Sequence, residues 1–126
     1  MFSPPLLVWR VVLATALIAV IYGSLRSPGS IELFAGADKL IHFVTYAALY
    51  ILAWLAFPGR VWRWRLHIAL LTFGGLIEIL QSQTGDRSMD GVDMLANAGG
   101  SGFGNLLLSF CFPLLPRSWT QHPRRG

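Results

Sequence analysis

The feature that most limits the fold of this chain is a set of four apolar runs, each near the length of a bilayer-spanning helix and each separated from the next by a short link. Crossing a hydrocarbon core of about 30 Å takes roughly 20 mostly apolar residues at helical rise, with about 17 to 25 tolerated. Residues 6–22, 40–57, 66–82 and 92–115 meet or approach that length. The first run follows Pro4 and Pro5, and the second ends at Pro58 and Gly59. The third is strongly apolar only to Leu80 and relies on its flank. The fourth is glycine-rich in its first half and bracketed by Pro113 and Pro116. The pattern predicts an all-α integral membrane bundle of about four transmembrane helices, with residues 1–126 forming a single domain.

Composition bears on the solvent. With 54% hydrophobic and 13% charged residues and a mean hydropathy of +0.55, the chain is too apolar for an ordinary water-soluble domain. A net charge of +4 suits a nucleic-acid binder, but such proteins carry Lys and Arg on a water-exposed face, and here these residues sit mostly in the links between apolar runs. No nucleic-acid partner is expected. The single cysteine, Cys111, lies in an apolar run and allows neither an intrachain disulfide nor a Cys-based zinc site.

The first run differs from a cleaved signal peptide, since no Lys or Arg precedes it and no A-x-A site follows Gly23 and Ser24. Arg10 lies near its end, where the stem can snorkel to the headgroups. Arg60, Arg63 and Arg65 occupy the second link and Arg117, Arg124 and Arg125 the tail, whereas the other two links hold only Arg26, Lys39 and Arg87. The positive-inside rule then places both termini in the cytoplasm. Glu32, Asp38, Glu78, Asp86, Asp90 and Asp93 all fall in or beside the two outer links. Trp62, Trp64 and Trp119 fit an aromatic belt on the cytoplasmic side.

Polar residues gather at the outer end. Asp38, His42 and Tyr46 recur at i, i+4 and i+8 on one face of the second helix, Glu78 and Gln81 close the third, and Asp90, Asp93 and Asn97 share a face at the start of the fourth. At ~1.5 Å per residue, His42, Glu78 and Asn97 each fall about 5 to 6 Å inside their helix ends and form one layer. A carboxylate at that depth is costly unless paired or wetted, so Glu78 needs a partner or a watered cleft, with His42, Arg87 and Asn97 nearest by depth. Simpler roles compete with function here. Asp38 and Asp90 stand where N-caps would, Asp93 resembles the acid of a capping box, and Tyr46 reads as a packed residue with one hydrogen bond. His67 reads as an interfacial residue and His122 as part of the tail. Ala96, Gly100 and Gly104 form a small-xxx-small ridge that lets another helix approach closely, whether in this chain or in a partner membrane protein.

These residues resemble the VanZ-like family of small bacterial membrane proteins. The likeness rests on Asp38-Lys39-x-x-His42-Phe43 with Tyr46, then Glu78-x-x-Gln81, Arg87, Asp90-x-x-Asp93-x-x-x-Asn97 and the paired Gly100 and Gly104. It spans about half the chain and extends to the order of the helices. The resemblance implies a bacterial inner-membrane protein of the cell envelope, and it brings an association with teicoplanin tolerance, although no residue of this chain by itself points to an antibiotic.

Three functions fit the polar layer. The first is binding of an anionic lipid or lipid-linked cell-wall component, with Arg87 and Lys39 pairing to phosphate or carboxylate and His42, Gln81 and Asn97 completing the hydrogen bonds. The second is an enzyme acting on a lipid-linked substrate, using His42 and Glu78 as an acid/base pair or using Asp38, His42, Glu78, Asp90 and Asp93 as partial ligands of a divalent metal. The third is a structural helper of another membrane protein. No H-E-x-x-H, G-x-S-x-G or phosphate-loop pattern is present, and no cofactor is expected.

Overall fold

A computed structural model describes residues 4–26, 34–84 and 91–114 of the chain. The protein is all-α: α1 (Leu6–Leu25), α2 (Ala37–Ala56), α3 (Trp62–Gln83) and α4 (Gly91–Cys111), the last followed by a 3₁₀ turn at Phe112–Leu114. The order and number of helices agree with the four apolar runs. The boundaries differ at the polar ends, which a hydropathy criterion omits. α2 begins at Ala37 behind Gly36, whose φ of 83° favours a residue without Cβ. α3 starts earlier than its apolar run, at the Trp62–Arg65 turn. α4 stops at Cys111 because Pro113 cannot donate the next helical hydrogen bond.

α2 is the centre of the bundle and packs most extensively on α4. A Cβ built on Gly100 would collide with the Phe43 carbonyl oxygen, and one on Gly104 would lie 2.7 Å from the Ala47 carbonyl oxygen. Both helices advance by four residues between these contacts in the same direction, so α2 and α4 run parallel in close contact. The ridge considered as a docking face is therefore taken up inside the chain at Gly100 and Gly104. α3 fills the space beside both helices. α1 packs along α2 and α3, with Leu13 as its one buried residue.

The bundle buries several polar side chains beside its apolar core and exposes many large apolar ones. Glu78, Gln81, Asn97 and Ser101 are buried, while Leu7, Val11, Ile18, Ile68, Leu76, Leu95, Leu106 and Phe110 are exposed. Two helices, Leu6–Leu25 and Ala37–Ala56, are long and apolar enough to cross a membrane. α3 and α4 have the length, at 22 and 21 residues, but not the average apolarity. Their buried polar side chains account for that shortfall.

At one end of the bundle, Arg10 donates from Nε to the Ala56 carbonyl (3.3 Å) and lies 5.0 Å from the centre of the Phe57 ring. It thus satisfies a free carbonyl at the end of α2, a specific role beyond the headgroup contact expected of it. Trp62 and Trp64 are exposed at the same end.

Candidate functional site

The opposite end is formed by the C-terminal turns of α1 and α3 and the N-terminal turns of α2 and α4. Up-and-down connection brings these four termini together, and with them Asp38, Lys39, His42, Tyr46, Glu78, Gln81, Asp93 and Asn97. Arg87 and Asp90 lie outside the described residues.

Lys39 lies between two carboxylates, 2.9 Å from Asp38 Oδ2 and in direct contact with Asp93 Oδ1. It ties the start of α2 to the start of α4. Asp38 is not an N-cap, because Gly36 occupies that position. Its side chain is 62% exposed and faces Lys39. Asp93 does occupy the first turn of α4, but its carboxylate turns to Lys39 and His42.

His42 is held from two sides. Its Nδ1 lies 2.9 Å from Asn97 Oδ1 and its Nε2 lies 3.8 Å from Asp93 Oδ2. An amide oxygen only accepts, so Nδ1 carries a proton and donates it to Asn97. Nε2 is then the nitrogen that faces the acids. Glu78 completes the group: one ligating atom from each of His42, Glu78 and Asp93 lies within 4.8 Å of the others. Glu78 is 2% exposed and Asn97 1%.

A cavity of about 70 Å³ lies among these residues, lined by His42, Tyr46, Glu78 and Asn97 together with Val20 and Gly74. Val20, Ser24, Ile41, His42 and Thr45 also line a larger cleft of about 430 Å³ between α1 and α2, to which Ala19, Asp38 and Gln81 contribute. The two spaces adjoin, sharing Val20, Ser24, Ile41, His42 and Thr45 in their linings, with apolar walls on the larger and polar groups in the smaller. Gln81 donates from Nε2 to the Ser24 carbonyl (2.7 Å), fastening α3 to the end of α1 at the cleft's edge. Gln81 therefore has a structural task in addition to lining the cleft.

Gly74 was not singled out in the sequence, yet it shapes the site. A Cβ there would lie 2.8 Å from both Tyr46 Oη and Asn97 Nδ2. Only a residue without Cβ lets α3 pass so close to Tyr46 and to Asn97, the partner of His42. Its place one helical turn before Glu78 is the sequence signal that could have singled it out.

A second polar network lies deeper in the bundle. Tyr50 donates to Asn105 Oδ1 (3.2 Å), His67 Nδ1 lies 3.0 Å from Ser101 Oγ, and the Tyr50 and His67 rings stack with centroids 4.4 Å apart. His67 is thus part of the helix packing rather than only an interfacial residue. Asp93, Asn97, Ser101 and Asn105 stand at successive i+4 positions, and together they give α4 a polar stripe that serves both networks. The regular spacing was readable in the sequence, although the expected stripe ended at Asn97.

Comparison with family models, with curated proteins and with solved structures returns no match to this chain.

Proposed function

We propose that this chain is a VanZ-like, multi-pass protein of the bacterial inner membrane, with both termini cytoplasmic, whose outer cleft binds the polar head of a lipid or lipid-linked envelope component. The extensive apolar exterior supports the membrane assignment. α1 is apolar around its whole circumference and mostly exposed, an arrangement suited to lipid rather than water. Glu78 and Gln81 of α3 and Asn97 and Ser101 of α4 turn inward, with Ile68, Leu76, Leu95 and Phe110 outside, so on this reading these helices span as well.

The observation that carries the binding function is the cleft with the polar cavity beside it. Its apolar wall of Ala19, Val20 and Ile41 suits a hydrocarbon chain, and its floor of His42, Glu78 and Asn97 suits a hydrogen-bonding head. On this reading, any change in glycopeptide tolerance follows from the envelope component that is bound. The test uses protein purified in nanodiscs of bacterial lipid, with retained lipid measured by native mass spectrometry. Ala19→Phe fills the cleft without altering its polar floor and should abolish retention. Arg87→Lys keeps the charge but loses the two-pronged contact and should weaken retention of anionic lipid. Equal retention by wild type and Ala19→Phe would refute the reading.

The placement of His42 favours one further possibility, an enzyme acting on a lipid-linked substrate. An imidazole held between Asn97 and Asp93 beside Glu78 is suited to move a proton. Conversion of the retained lipid on incubation, lost in His42→Gln, would distinguish turnover from binding.

A further inference from the structure

Acidic side chains gather around His42 at the floor of the cleft. Among the described residues, Asp38, Glu78 and Asp93 stand against Lys39, and Lys39 lies between Asp38 and Asp93. Of these, Asp93 and Glu78 stand beside His42. Because Nδ1–H is donated to Asn97, the other ring nitrogen, Nε2, is the one that faces Asp93. Together with Glu78 these groups gather one nitrogen and two carboxylate donors within reach of a single cation.

We infer that His42 Nε2, Glu78 and Asp93 form a binding site for a divalent transition metal of the Zn²⁺ or Mn²⁺ class. One imidazole and two carboxylates form a mixed nitrogen and oxygen donor set suited to these ions. In a tetrahedral site with bonds of about 2.0 to 2.1 Å the ligating atoms stand roughly 3.4 Å apart. The 3.8 Å between His42 Nε2 and Asp93 Oδ2 is already near that spacing, and the group as a whole lies within 4.8 Å. Rotation of the Glu78 or Asp93 carboxylate closes the difference.

The surroundings resemble the outer shell of a metal site. A ligating histidine commonly donates its other N–H to an oxygen that fixes the ring and its tautomer, and Asn97 Oδ1 does so here at 2.9 Å. Asn97 is in turn confined by Gly74 and Tyr46. Lys39 holds the Asp93 carboxylate from the other side. Asn97 and Lys39 are positioning residues, and the three ligands come from three different helices. The cavity of about 70 Å³ beside them leaves room for water or a ligand oxygen at an open coordination position.

With the metal bound, its two positive charges offset Glu78 and Asp93. The floor of the cleft can then accept a phosphate or carboxylate oxygen of the headgroup as a further ligand. This bridging role rests on the proposed function of the cleft, whereas the metal site does not.

The test begins with the metal alone. Full-length protein in nanodiscs is stripped with chelator and titrated with Zn²⁺ and with Mn²⁺, bound metal is counted by elemental analysis, and the coordination is read by X-ray absorption. We expect one metal per chain with nitrogen and oxygen ligands and no sulfur. Affinity should fall at least 100-fold in His42→Gln, Glu78→Gln and Asp93→Asn, fall 10- to 100-fold in Asn97→Ala, and stay unchanged in His67→Gln. Should Glu78→Gln fail to fold, Asp93→Asn and the absorption spectrum of the wild type decide the matter. Absence of stoichiometric metal in the wild type overturns the inference, as would equal affinity in Asp93→Asn and wild type. A ¹⁵N spectrum showing metal-free His42 as an imidazolium paired with Asp93, unchanged by added metal, overturns it too. Retained lipid is then compared with and without metal. Lipid retained equally in both states refutes the bridging role and leaves the cleft reading intact. Metal bound by a protein that retains no lipid preserves the metal site and refutes only the cleft reading.

Discussion

Gly100→Ala should be among the most destabilising single-methyl additions in this protein. The added Cβ would strike the Phe43 carbonyl oxygen and lie 2.9 Å and 3.0 Å from the Phe43 carbonyl carbon and Cα. All three are backbone atoms in the middle of α2, so no side-chain rotation relieves the overlap. Restoring an ordinary carbon separation of about 3.5 Å requires α4 to move away from α2 by about 0.5 to 1 Å, which forfeits a quarter to a half of each dispersion contact along the seam. Overpacking costs about 1 to 3 kcal/mol, and the backbone location puts this case at the upper end. Alanine's helix preference over glycine returns at most about 1 kcal/mol, for a net loss near 2 kcal/mol. Gly102 provides the internal control: it lies two residues away on the same helix, and nothing would stand within 4 Å of its added Cβ. Gly102→Ala should be neutral or slightly stabilising. Reversible unfolding of both variants in mixed micelles, followed by circular dichroism, should show a difference of about 2 kcal/mol or more, a factor of at least roughly 25 in the unfolding equilibrium. Equal stability of the two variants would refute the close parallel packing of α2 and α4.

Gly74→Ala meets only the tips of Tyr46 and Asn97, so it should leave the fold intact but release His42 from its orientation. A shift of the His42 side-chain NMR resonances with little loss of thermal stability is the expected result, and unchanged resonances would argue against the role given to Gly74. His42→Ala and Glu78→Gln should be non-additive by roughly 0.5 to 3 kcal/mol in a thermal double-mutant cycle; strict additivity would mean that the two side chains do not share an environment. Tyr50→Phe and Asn105→Leu should together cost less than the sum of their separate effects, because both remove the same 3.2 Å hydrogen bond. With Cys111 replaced by Ala, single cysteines at Ser30 and Ser88 should react with an impermeant thiol reagent in intact cells and one at Ser118 should not. Labelling at Ser118 alone would invert the proposed orientation.

The sequence by itself determined the four helices and the end at which the polar residues meet. An apolar run of bilayer length has one economical conformation, a helix, and short links force successive helices to alternate in direction. The end of each helix then follows from chain order, which suffices to bring Asp38 and His42, Glu78 and Gln81, and Asp93 and Asn97 together. Periodicity fixes which residues share a face of one helix, but not which neighbouring helix that face meets. Asp38 and His42 share a face, yet Asp38 turns outward to Lys39 while His42 turns inward to Asn97. Gln81 reaches a backbone carbonyl on α1, a partner with no side-chain signature in the sequence. The same limit hid His67, whose neighbours Trp64 and Arg65 suggest an interface although its ring stacks on Tyr50. The glycine ridge was visible at its four-residue spacing, but its occupant was decided by the parallel approach of α2. On the proposed membrane reading, average apolarity understates α3 and α4, because it sums over a helix and cannot distinguish a polar residue facing lipid from one facing another polar residue. Tertiary packing makes that distinction: it sets the rotation of each helix about its axis, and so decides which polar groups satisfy one another inside the bundle.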